Sequence, residues 1–245
     1  MSHVIELRNI SYSYSNQVKA LDRISLHVSQ GDSVALLGAN GCGKSTLLKV
    51  INGLITADSG AFDFDGTAVN GRKLKDPQFS RRFHKRIGFI FQNSDAQLFC
   101  PTVYEEIAFG PQQLGISGDE ARKRTEDAMR LLQISTLADR APYHLSGGEK
   151  KRVAIAAAVV LNPDVYVLDE PMNNLDPKTR RFLRQLLIRL NQAGKTLICA
   201  THDFENAGDI FRKAAVFSAD HRLIRVDDYE KVIRDRAFLE AQNII

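Results

Sequence analysis

Tryptophan is absent from this 245-residue chain, and cysteine is scarce: Cys42, Cys100 and Cys199 stand far apart. Three cysteines so spaced make neither a metal-binding motif nor a disulfide framework. Long apolar runs are missing too. The longest, Val153 to Leu161, is alanine-rich and falls well short of the roughly 18 residues a membrane span requires. The first residues, Met1-Ser2-His3-Val4-Ile5-Glu6, carry neither the basic nor the apolar region of a secretory signal, so the cytosol is the expected compartment. Neither sign of charge dominates, with 33 Lys and Arg against 29 Asp and Glu and a formal net charge of +4. The densest basic patch, Arg81-Arg82-Phe83-His84-Lys85-Arg86, could meet nucleic acid or lipid headgroups, or be a solvated face, and charge alone assigns no partner. What is present is ordinary for a globular protein: 44% hydrophobic and 25% charged residues, enough chain for a substantial core in one large domain or two small ones.

One stretch stands out. Gly38-Ala39-Asn40-Gly41-Cys42-Gly43-Lys44-Ser45-Thr46 fits G-x-x-x-x-G-K-[ST], the phosphate-binding P-loop. Ser33 to Leu37 before it reads as a buried strand, and Thr46 to Asn52 after it as a helix. Glycines let the backbone turn tightly and aim its N–H groups at phosphate oxygens, and the helix N-terminus adds its positive end. In such a loop Lys44 reaches the β- and γ-phosphates and the Ser45 hydroxyl ligates Mg²⁺.

The rest of the chain supplies candidate partners. Residues 3–10 and 21–30 alternate as half-buried strands, and Ser11 to Asn16 reads as a polar loop with two tyrosines, able to stack on an adenine or merely to cap a hairpin. Ile87 to Phe91 reads as a strand with Gln92 at its carboxyl end, where ligand crevices of α/β sheets lie. From Asp95 to Val160 only helices are legible, including Glu105 to Ala108 and Ala121 to Leu132, which predicts a helical subdomain inserted in an α/β core. Leu145-Ser146-Gly147-Gly148-Glu149 then opens an alanine-rich helix. Ser146 and Glu149 have capping-box spacing, but two glycines in a first turn are unfavourable unless a phosphate must approach the backbone. Val165 to Leu168 reads as a buried strand delivering Asp169 and Glu170. Two adjacent carboxylates there call for a partner; a bound Mg²⁺ provides one for Asp169, leaving Glu170 to orient and deprotonate a water. Asp176-Pro177 starts the next helix as N-cap and first residue. Thr196 to Ala200 is another strand, with His202 just beyond it.

Taken together these residues resemble the nucleotide-binding subunit of an ATP-binding cassette (ABC) transporter, and the resemblance covers essentially the whole chain. Leu145 to Glu149 matches the signature that separates this family from other P-loop proteins. Gly38 to Thr46 matches Walker A, Val165 to Asp169 Walker B, Gln92 the Q-loop, His202 the switch histidine and Asn174-Leu175-Asp176 the D-loop. Tyr14 suits the adenine-stacking aromatic better than Tyr12. The resemblance implies a P-loop α/β fold with an N-terminal antiparallel β subdomain and a helical insert, spanning 1–94 and 161–226 as core, 95–160 as helical subdomain and 227–245 as a tail of one charged helix at most. It implies Mg²⁺-dependent ATP hydrolysis, with Glu170, His202 and Gln92 at the reaction and Ser45, Gln92 and Asp169 toward the metal. ATP would lie on residues 38–46 and Tyr14, with Ser146, Gly147, Gly148 and Asp176 of a second subunit closing over it.

Phe91-Gln92-Asn93-Ser94-Asp95-Ala96-Gln97-Leu98-Phe99-Cys100-Pro101-Thr102-Val103, with Ile107 to Pro111, is similar to the ATPases of energy-coupling factor (ECF) importers, especially the cobalt and nickel branch. That likeness implies a homodimer at the cytoplasmic face of the membrane, working with a transmembrane coupling subunit and a substrate-binding membrane subunit. Asn173-Asn174 departs from the small residues usual in the D-loop, and the tail is short for this group. A vitamin importer, a cassette that binds ATP without hydrolysing it and a soluble cassette acting on DNA or ribosomes are the alternatives. The last would need a long coiled coil or two cassettes, whereas this chain shows no sustained heptads and one P-loop, so no nucleic acid is expected.

Overall fold

The computed structural model describes residues 3–15, 18–202 and 207–245. Two long strands open the chain, β1 (His3–Tyr14) and β2 (Val18–Ser29). They pair antiparallel and join β4 (Ser59–Phe64) and β5 (Thr67–Ala68) in a sheet of order β2-β1-β4-β5. The polar stretch after Ile10 is therefore strand rather than loop as far as Tyr14: Tyr12 faces Leu21, Ser13 faces Lys19 and Tyr14 faces Val18. Irregularities in the ladder between Leu7 and Tyr12, with Asn9 at φ +51°, break the apolar alternation, so ladder hydrogen bonds carry a strand that side-chain pattern does not announce. Asn16 lies outside the described residues.

The second sheet has the order β10-β9-β3-β8-β7-β6. Its strands are β3 (Ser33–Leu37), β6 (Ile87–Ile90), β7 (Val165–Asp169), β8 (Thr196–Ala200), β9 (Lys213–Phe217) and β10 (Leu223–Asp228). All pairings are parallel except that of β10 with β9. β3, β7 and β8 are buried along their whole length, hence their uninterrupted apolar sequences. Register brings Leu36 and Asp169 to the same row as Ala200. The segments after β3, β6, β7 and β8 thus leave from one edge, where α/β sheets bind ligands.

Helix α1 (Lys44–Ile51) follows β3 and packs between the sheets, among Leu21, Phe62, Val167 and Ile198. Apolar pattern did not reveal two helices, α2 (Gly71–Leu74) and α3 (Pro77–Arg86), the second of which carries the basic patch. Asp76 caps α3 by accepting from the N–H groups of Gln78 and Phe79, and Phe83 anchors it. The helical segment holds α4 (Val103–Gln113), α5 (Gly118–Leu131) and α6 (Gly147–Val159). α4 is longer than Glu105 to Ala108 because Thr102 and Glu105 form a capping box and the helix runs on through Gly110-Pro111 into its last turn. α7 (Pro177–Gln192) begins at the Asp176 cap and packs on β8.

The tail differs from the single helix expected. Asp227 and Asp228 end β10, and then α8 (Tyr229–Arg234) and α9 (Arg236–Ala241) follow. Asp228 caps the first and Asp235 the second, while Tyr229, Val232 and Leu239 are buried in the main core. Charge on the surface of these helices hides an apolar set too sparse to read from pattern.

Candidate functional site

The loop after β3 is shaped by contacts behind it. Gly43 has φ +111°, and a Cβ there would lie 2.3 Å from the carbonyl oxygen of Ala20 on β2. Only glycine admits that approach. Lys44 is 6% exposed, and its ammonium donates to the carbonyls of Gly38 (2.7 Å) and Ala39 (3.0 Å). Cys42 is buried under the loop, where burial pushes its thiol up and the Lys44 charge partly offsets this. Tyr14 and Thr46 hydroxyls lie 3.3 Å apart, and Tyr12 meets the Tyr14 ring edge-on at 5.0 Å. Tyr14 is the more exposed of the two, with Tyr12 packed against the core. Around Lys44, Asn40 and Gly41 are exposed and Ala39 and Ser45 half-buried, while Gly43 is buried.

Across the sheet edge the Ser45 hydroxyl donates to Asp169 Oδ1 at 3.0 Å. Asp169 is 6% exposed; burial raises its carboxyl pKa, and the Ser45 bond with Lys49, Lys44 and Lys151 only partly counters it. A nearly dry carboxylate beside a hydroxyl, short of compensating charge, is a donor set that suits a hard dication with water and phosphate as further ligands. Among the described residues no cluster of three or more His, Cys, Asp or Glu side chains forms another metal centre. Glu170 is buried with φ +45°, an uncommon conformation for glutamate, and its N–H bonds Ala200 O at 3.0 Å. One carboxylate oxygen lies 2.8 Å from His202 Nδ1. The turned backbone is what carries Glu170 out of the line of β7 and toward that histidine.

Gln92 follows β6 with its side chain exposed. It lines a cleft with Gly147, Lys151, Asn173 and Asn174. Asn174 sits at φ +57°, a left-handed conformation that asparagine adopts readily, which accounts for this residue in a position where small ones are usual. Gln92 is not bonded to the Ser45–Asp169 pair; its side chain points to the cleft. A neighbouring cleft joins Ser146, Gly147 and Gly148 to Asn174 and Asp176. Here Ser146 and Glu149 form the capping box, the Ser146 hydroxyl donating to Glu149 Oε2 at 2.7 Å. Asp176 caps α7 through Oδ1, accepting from Lys178 and Thr179 N–H groups. No P-loop residue lines either cleft.

Sequence reasoning missed Lys151. It is 4% exposed on α6, and its ammonium donates to the carbonyls of Phe91 (3.0 Å) and Gln92 (2.9 Å). Burial lowers its pKa to about 8 against the opposing field of Asp169. A lysine in an alanine-rich helix carries no sequence signal of this role. The segment 97–99 also divides: Gln97 accepts from Phe91 N–H and donates to Ala154 O, Leu98 packs on the core, and only Phe99 is exposed, against Phe109 at 5.0 Å.

The sequence pattern of the family described as ABC transporter matches residues 21–173. The cobalt import ATP-binding protein CbiO of Rhodobacter capsulatus is 44% identical over 239 residues, covering 98% of this chain and 84% of that protein. The nickel import ATP-binding protein LarO of Lactiplantibacillus plantarum is 43% identical over 220 residues, covering 90% and 91%. Among solved structures, cbiO1 from Clostridium perfringens, described as part of the ABC transporter complex cbiONQ, superposes with a TM-score of 0.83 at 32% identity over 100% of this chain and 96% of that one. With a P-loop, a capped signature helix and an acidic strand end in one α/β fold, this chain belongs to the ABC transporter family as an ATP-binding, ATP-hydrolysing subunit.

Proposed function

We propose that this chain powers a membrane importer of the ECF type whose solute is a cobalt or nickel ion. The observation that carries the catalytic part is the pair of contacts at one sheet edge, Ser45–Asp169 and Glu170–His202. Residues 38–46 cradle the phosphates of ATP, Lys44 turns its ammonium from the loop carbonyls to the β- and γ-oxygens, and Tyr14 stacks on the base. Ser45 and Asp169, with Gln92 from the neighbouring loop, would hold Mg²⁺, which supplies charge neutralisation at the γ-phosphoryl group when bound. Glu170 orients water in line with that group and accepts its proton, while His202 fixes the carboxylate by its hydrogen bond. Gly147 makes half of the site intermolecular: a Cβ there would meet nothing within 4 Å, so nothing in this chain requires glycine. A second copy requires it, if its bound nucleotide lies on Ser146 to Gly148, with Asp176 alongside.

Support for the solute comes from the names of CbiO and LarO. Exposed Phe99 and Phe109 form the surface for a transmembrane coupling subunit, which holds the chain at the cytoplasmic face of the membrane. No helix among the described residues is long and apolar enough to cross a membrane itself. The direct test is co-expression with candidate coupling and substrate-binding membrane subunits and uptake of radioactive cobalt and nickel. ATP-dependent uptake of either ion is expected; uptake of a vitamin instead overturns the solute assignment. Phe99→Asp should abolish co-purification with the coupling subunit and spare ATPase activity of the free chain; retention of the partner contradicts the docking surface.

A further inference from the structure

The loop carrying Gln92 is stitched to the signature helix α6 at three successive points. Lys150 Nζ pairs with Asp95 at 2.6 Å, Lys151 Nζ donates to Phe91 O and Gln92 O, and Gln97 Nε2 donates to Ala154 O at 2.9 Å. Of these, the Lys151 contacts are the innermost. They grip the two carbonyls on either side of the Gln92 α-carbon and use two of the ammonium's three donors.

A buried ammonium is costly unless it is well bonded. Lys151 shares one face of α6 with the buried Ala154, Ile155 and Ala158, where a leucine or methionine would pack with no such cost. The adjoining side of the same helix is tied to α7: Arg152 donates to Thr179 Oγ1 at 3.2 Å, and its guanidinium lies over the Phe182 ring at 5.1 Å. α6 is therefore a rigid lever with Ser146 to Gly148 at its head, the Gln92 backbone on one side and the helix capped by Asp176 on the other. Gln92 itself projects into a cleft, so its side-chain position is set by its backbone rather than by packing.

We propose that Lys151 is a positioning residue for Gln92: by fixing both flanking carbonyls it makes the Gln92 loop follow the signature helix. A shift of α6 when Ser146 to Gly148 engage a partner's nucleotide then moves Gln92 relative to Asp169 in the same chain. The inference rests on the function proposed above and adds a residue to it.

The test is a double-mutant cycle on the purified full chain, with ATPase kcat and KM as readouts. Lys151→Met keeps the stem and removes the donors. It should lower kcat about tenfold with KM for ATP within about twofold, because misplacement at the reaction affects turnover and leaves the P-loop intact. Added to Gln92→Ala it should cause no further loss, and Lys151→Arg, which can donate to both carbonyls, should restore most of kcat. Additive losses in the double variant, or an arginine no better than methionine, overturn the proposal. Should Lys151→Met be insoluble, Lys151→Gln against Lys151→Arg carries the same test, and equal kcat for the two overturns it. An inactive wild-type chain refutes the ATPase reading instead, so the two failures are distinguishable.

Discussion

The P-loop and the signature segment of this molecule are built on opposite terms. The P-loop half is determined from within: Gly43 presses on Ala20, Lys44 is folded over its own loop, and Ser45 is tied to Asp169 across the sheet. At the head of the signature helix Ser146 is held by its capping box with Glu149, Asp176 caps the neighbouring helix, and Gly147 is presented to open space. The same residue type is thus demanded by the fold at position 43 and by nothing within the chain at position 147. A half-site packed against its own core beside one that ends in solvent is what a composite, two-chain ATP site requires.

The largest expected effect concerns chemistry in the packed half. Glu170→Gln keeps the shape and the ring contact but removes the base, so phosphate release should fall by about a hundredfold or more with ATP binding retained. Hydrolysis near the wild-type rate would remove Glu170 from its role. Next comes the glycine pair, which breaks the comparison directly. Gly43→Ala meets a carbonyl at 2.3 Å in a left-handed conformation, and should cost on the order of 3 kcal/mol with a clear fall in melting temperature. Gly147→Ala should leave the fold intact or raise stability by about 1 kcal/mol through helix propensity. It should nevertheless lower ATPase activity, because the new methyl group stands where the partner's phosphate approaches. Equal melting temperatures for the two variants would erase the distinction.

Smaller effects sharpen the picture. Tyr14→Ala should weaken ATP binding about fivefold, the range that one aromatic stacking contact contributes, and leave kcat unchanged; titration with a fluorescent ATP analogue measures it. Thiol reactivity should be least affected by anything but pH. Cys42 and Cys199 are buried, and burial with Glu106 nearby pushes Cys100 up to about 11. All three are therefore thiols at neutral pH, and iodoacetamide should label the folded chain slowly there and faster as pH rises. Rapid labelling of Cys42 at pH 7 would contradict its place under the loop.

How much of this was legible beforehand follows the same division. β3, β7 and β8 are apolar along their length because both faces are covered, so Lys44, Ser45, Asp169, Glu170 and His202 could be placed at one sheet edge from pattern alone. Ser11 to Tyr14 could not be read as strand, since bulges shift its alternation and Tyr12 alone of its side chains packs on the core. α2 and α3 escaped because each is short and polar, with Leu74 on the first and Phe79 and Phe83 on the second as their apolar anchors. The tail's two helices are set by Asp228 and Asp235 caps over three buried side chains. Within the site, Lys151 was invisible because its partners are backbone carbonyls, which leave no trace in side-chain type. Asn174 looked anomalous until its left-handed conformation supplied the reason.

The central claim, that this chain holds two halves of different ATP sites, is tested most directly by the mass of the Glu170→Gln protein in solution, with and without ATP. Light scattering should show 27.3 kDa particles without nucleotide and about twice that mass with ATP and Mg²⁺. Adding Gly147→Glu, which places a carboxylate where the partner's phosphate would lie, should hold the mass at the monomer value although the chain still binds ATP. A Gly147→Glu variant that dimerises equally well with ATP would contradict the account.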